Sequence, residues 1–84
     1  MNNRQKLAVS YHPGVMLQEK LVELGMPIKA FAERCGKPEA TILSVINRTN
    51  PVTLEMANDF EKVLGIPAHM WVRMQARYDE YVAR

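Results

Sequence analysis

The sequence is poor in the groups that catalysis and cross-linking need. Cys35 is the single cysteine among 84 residues, so there is no disulfide framework, which fits a reducing compartment. His12 and His69 lie far apart, with no cysteine or carboxylate at metal-ligand spacing, so no metal site is expected. No glycine-rich phosphate loop occurs, and no cofactor is expected. Carboxylates such as Glu55, Asp59 and Glu61 fall on solvated helix faces instead of converging, and Cys35 falls on an inner one. Together these absences exclude an enzyme reading. There is also no targeting segment and no long apolar run, so a soluble cytoplasmic chain without membrane contact is expected. Charge of one sign is scarce too: the net charge is +2. Residues 1–52 hold seven Lys/Arg against four Asp/Glu, and residues 53–84 hold four against five. That mild asymmetry suits an anionic partner at the front of the chain and protein at the back.

What the chain does have is regular punctuation by proline and glycine. The length suits one domain with a marginal core, which extra burial through dimerisation would help. Residues 1–11 read as an arm in which Leu7, Val9 and Tyr11 alternate with polar or small neighbours. His12-Pro13 opens a helix to about Leu24, with Leu17, Leu21 and Leu24 on one face and Gly25 as its stop. Pro27 starts a second helix that turns Ile28, Phe31, Ala32 and Cys35 inward and ends at Gly36, where the left-handed turn suits glycine. A third helix, about 38–47, buries Ile42, Val45 and Ile46, and a polar loop from Arg48 to Val52 follows. Thr53 caps a fourth helix that buries Leu54, Ala57, Phe60 and Leu64. A fifth, about 67–82, gathers Met70, Trp71, Met74, Tyr78, Tyr81 and Val82 in one broad sector. The expected fold is all-α, with residues 12–84 forming a five-helix domain.

Two short helices broken by Gly36 have the form of a helix-turn-helix, whose second helix is shaped for the DNA major groove. With Ile42, Val45 and Ile46 inward, the 100° step per residue turns Ala40, Ser44 and Asn47 outward. Ala40 can meet a thymine methyl, Ser44 a donor or an acceptor, and Glu39 cytosine N4. Lys29, Lys37 and Arg48 suit phosphate, and Asn47 suits phosphate or adenine. Each has a plainer reading. Ala40 and Ser44 are ordinary surface residues, Glu39 complements the helix dipole, and Leu43 suits a protein contact better than a base.

These motifs carry a resemblance. Residues 12–81 resemble the HigA-type antitoxins, a branch of the Cro/cI-like (XRE, lambda repressor-like) helix-turn-helix regulators. The matching residues are His12-Pro13-Gly14, Ala32-x-x-x-Gly36, Pro38-x-x-Thr41-Ile42 and Asn47. Val52-Thr53, Leu64-Gly65, Trp71 and Gln75-x-x-Tyr78 complete the set. The opening His-Pro-Gly with the late Trp and Gln-x-x-Tyr is the most specific part, and the recognition-helix motif adds Thr41 to the candidate DNA-binding residues. The resemblance implies a homodimer that binds a palindromic operator, represses its own operon and neutralises a co-encoded RelE-like toxin that cleaves messenger RNA. Three positions depart from the pattern. Ile28 stands where relatives usually carry glutamine, Glu39 where a basic residue is common, and Arg48 where glycine follows the asparagine. All three bear on DNA affinity and operator sequence.

The wide apolar sector of the fifth helix exceeds what a small core needs, or else belongs to it entirely. In the first case Met70, Met74, Tyr78 and Tyr81 form a two-fold dimer interface. Arg4 and Lys6 in the arm can reach a minor groove or a toxin, although terminal arms are most often unattached. Two function classes therefore stand: a dimeric DNA-binding repressor, or a protein-binding module on the same fold with little DNA affinity.

Overall fold

The computed structural model describes residues 12–83; the arm over 1–11 and Arg84 lie outside the described residues. Five helices follow in order: α1 (Pro13–Leu24), α2 (Ile28–Cys35), α3 (Glu39–Ile46), α4 (Leu54–Leu64) and α5 (Ala68–Val82). Each expected helix forms. Pro27, Pro38 and Pro67 stand just before the helices they were expected to open, at φ of −63°, −63° and −56°. The ring fixes φ near that value, so proline sets the entry angle but brings no side-chain acceptor for the first amides. At α5 the missing acceptor comes from elsewhere: Glu61 Oε1 accepts from the Ala68 N–H at 3.0 Å. Thr53 caps α4 as expected, accepting from the Met56 N–H at 3.2 Å.

The core draws on every helix. Leu17 and Leu21, Phe31 and Ala32, Ile42, Val45 and Ile46, Ala57 and Phe60, and Trp71 are all buried. Phe60 sits between Phe31 and Trp71, with ring centroids 5.3 Å and 5.1 Å away. Such pairs add about 1 kcal/mol each beyond the area they bury. This stack joins α2, α4 and α5 into a platform, and α3 packs against α2 on one side and α1 on the other.

Three residues differ from expectation. Leu24 is 52% exposed, because α1 ends there and the chain turns away at Gly25 before anything covers that face. Leu54, expected inside, is 64% exposed in the first turn of α4. Val52, expected in a polar loop, is buried, and its N–H donates to Gln75 Oε1 at 2.8 Å. Gln75 is itself buried, and its Nε2 donates to Asp79 at 2.9 Å. A single amide thus ties the loop after α3 to α5, and an apolar side chain there would leave the Val52 donor unpaired.

The His12-Pro13-Gly14 opening has a packing reason. His12 is the N-cap of α1, its Nδ1 accepting from the Gly14 N–H at 2.9 Å. Gly14 lies against the α3 backbone, where a Cβ would run into the Val45 carbonyl oxygen. Glycine is therefore needed for α1 to approach the end of α3 this closely.

Candidate nucleic-acid interface

The turn between α2 and α3 is built on Gly36, at φ 70°, whose N–H caps carbonyls at the end of α2. This left-handed residue lets α3 leave at an angle to α2, with Ile42, Val45 and Ile46 seated on the core. The opposite side of α3 is open. Glu39, Ala40 and Asn47 are exposed, Leu43 is 37% exposed, and Thr41 and Ser44 are half-buried. The expected outward face therefore exists, with Ser44 set lower in it than the helical arithmetic implies.

Hydrogen bonding explains Ser44. Its hydroxyl donates to the Thr41 carbonyl at 2.7 Å and accepts from Asn50 Nδ2 at 2.9 Å. Asn50 is exposed and was not a candidate from sequence alone. It lies six residues on, past a loop whose path no helical period describes.

The candidate cations differ in their surroundings. Lys29 is exposed at the start of α2, one residue after the half-buried Ile28. Arg48 is exposed just past α3, at φ 64°. Lys37 behaves differently. Its Nζ lies 2.6 Å from Glu55 and 3.5 Å from Asp59, both on α4, and its side chain is only 18% exposed. The hydrogen bond to Glu55 raises the lysine's pKa and lowers the glutamate's. Lys37 is thereby held against α4. Sequence alone hides this because the partners lie 18 and 22 positions away.

On α5, Trp71 and Gln75 are buried while Met74 and Tyr78 are half-buried. Tyr78 meets the His12 ring edge-on, centroids 4.7 Å apart. Met70 and Tyr81 remain exposed, at 41% and 44%. Cys35 is half-buried, and its thiol is pushed up to about 11 by burial and by Asp59, so it stays protonated and unreactive near neutral pH. No helix among the described residues is long and apolar enough to cross a membrane.

A helix-turn-helix on a five-helix frame, with Glu39, Ala40, Leu43 and Asn47 of its second helix exposed among the described residues, defines a class of protein. Comparison with known proteins agrees. The helix-turn-helix family profile matches residues 17–71, and the chain belongs to that family. A curated relative from Haemophilus influenzae, an uncharacterized HTH-type transcriptional regulator, is 31% identical over 67 residues. That alignment takes in 79% of this chain but 63% of the relative, so the chain spans less than two thirds of the relative's length. Among solved structures, an antidote protein proposed for a plasmid maintenance system of Nostoc punctiforme is 31% identical with a TM-score of 0.85, over 88% of this chain and 81% of that one. An addiction module antidote protein of the HigA family from Coxiella burnetii is 27% identical with a TM-score of 0.84, over 87% and 80%. The five-helix all-α fold expected from the sequence is the fold of these HigA-type neighbours.

Proposed function

We propose that this chain is a sequence-specific, DNA-binding transcriptional regulator and the antitoxin of a toxin–antitoxin pair. It represses its own operon and neutralises an mRNA-cleaving, RelE-like toxin. The observation that carries the DNA reading is the open face of α3, presented by a family frame built to insert that helix into a major groove. Ala40 is exposed in the first turn of α3, the end that enters the groove, and the exposed cations Lys29, at the start of α2, and Arg48, just past α3, are the phosphate contacts of this reading. The antitoxin reading is supported by the two antidote proteins that share this fold.

The operator is palindromic and the protein a homodimer. Met70, Met74 and Tyr81 fall within about 40° of one another around α5, as a stripe about 16 Å long beside the buried edge. That flank is the proposed two-fold contact, with Tyr78 at its margin. Pairing two copies there supplies the two recognition helices a palindrome needs.

A second reading, a protein-binding module with little DNA affinity, is favoured by specific residues. Ile28 puts an apolar side chain at the start of α2, Glu39 puts a carboxylate at the start of α3, and Lys37 is occupied by Glu55 and Asp59. Fluorescence anisotropy with the upstream duplex and a scrambled duplex, at low and moderate salt, separates the two. Tighter binding to the upstream duplex at both salts supports the regulator. Equal, weak and salt-fragile binding to both supports the module. Co-purification with the product of the adjacent reading frame tests the toxin.

A further inference from the structure

Ser44 lies on the α3 face assigned to DNA, yet its hydroxyl is already committed. A serine hydroxyl has one hydrogen to give and two sites at which to accept. The hydrogen goes to the Thr41 carbonyl at 2.7 Å, and one acceptor site takes Asn50 Nδ2 at 2.9 Å. One acceptor site is left, on a half-buried side chain. The chain beyond α3 winds back over it. The Ser44 carbonyl accepts from the Thr49 N–H at 2.9 Å, the Asn50 N–H at 3.2 Å and the Thr49 hydroxyl at 3.0 Å. Asn50 is thus held at its backbone and at its amide while its side chain stays exposed.

We propose that Asn50 is the residue that reads a base at this end of the recognition helix, and that Ser44 is its positioning residue. The Asn50 carboxamide has given one of its two N–H groups to Ser44, and no hydrogen bond engages its Oδ1 among the described residues. It therefore offers one donor and one acceptor side by side, the pattern that matches N7 and N6 of adenine in the major groove. The bond to Ser44 fixes that amide before DNA arrives, so little side-chain freedom is lost on binding. A lone serine at the sixth residue of α3 is too short to do the same. The inference rests on the DNA-binding reading above.

The test is an anisotropy titration of the full chain against its upstream duplex and a set of single base-pair substitutions of it. Asn50→Ala is expected to weaken binding to the intact duplex about tenfold and to abolish discrimination at one A·T pair. Its salt slope stays unchanged because no cation is removed. Ser44→Ala shifts discrimination at the same pair, and the double variant binds no more weakly than Asn50→Ala alone. Asn50→Asp keeps the size of the side chain, removes its donors and loses the same discrimination, and thermal melts establish that each variant is folded. Discrimination at every position retained in both folded Asn50 variants overturns the proposal, as does a loss confined to Ser44→Ala. If the unmodified protein prefers its upstream duplex while Asn50→Ala matches it throughout, only the role of Asn50 fails. If the unmodified protein shows no preference, the DNA reading fails with it.

Discussion

His12 joins three structures with one ring. It caps α1 through Nδ1, packs edge-on against Tyr78 of α5, and lies close enough to Arg48 to feel its charge. Burial is the main influence lowering its pKa below 6.5; Arg48 lowers it further and Asp79 acts in the opposite direction. Protonation would also place a hydrogen where the cap needs a lone pair. The unfolded chain therefore takes up this proton at higher pH than the folded one. Its stabilisation is complete above about pH 6.5 and is lost as pH falls through the lowered folded-state value. Thermal melts from about pH 7.5 to about pH 5 should show a falling midpoint, less steep in His12→Asn, which caps without titrating. An identical slope in the variant would contradict this. Arg48 makes a second test at the same scale. A non-glycine residue in the left-handed region is strained by about 1 kcal/mol, and Arg48 sits there at φ 64°. Urea unfolding of Arg48→Gly should show up to about 1 kcal/mol of added stability. In DNA titrations the same variant should lose about one unit of salt slope. A variant less stable than the parent would show that Arg48 is not strained.

Between elements, the informative contact is Lys37 with Glu55 and Asp59. It bridges the α2–α3 turn to α4, and so fixes the base of the recognition helix on the platform. Lys37→Met, which keeps the alkyl stem, is expected to lower the melting midpoint and leave the salt slope of DNA binding within about half a unit. A slope lower by a full unit with no loss of stability would make Lys37 a phosphate contact instead. This contact also shows where sequence reading stops. Helix number, order and inward stripes were legible because period and punctuation are local: Gly36 marks its turn and Ile42, Val45 and Ile46 mark their face. Long-range partners carry no such mark. Nothing in a local window says that Val52 bonds Gln75, that Lys37 meets α4, or that Asn50 folds back on Ser44. Leu24 failed for the converse reason: it satisfies the period, but the helix ends before a neighbour reaches it.

For the whole molecule, the question is how 84 residues supply enough burial. A domain this small folds with a narrow margin, and an exposed apolar stripe on its last helix is a second surface to bury. Met74 and Tyr78 are partly committed to the core, so charges there would confuse unfolding with dissociation. Tyr81 is exposed and avoids that difficulty. Sedimentation of Tyr81→Glu is expected to give a folded monomer where the parent gives a dimer, with a parental melting midpoint that rises with protein concentration. A folded, dimeric Tyr81→Glu would move the interface to another surface. The α3 interface itself is tested most directly by Ala40→Glu, placed on the open face where no core contact is lost. Against the upstream duplex, this variant should melt like the parent and bind at least about a hundredfold more weakly, a buried like-charge clash costing several kcal/mol. Unchanged affinity for that duplex in the folded variant would contradict α3 as the DNA-reading helix.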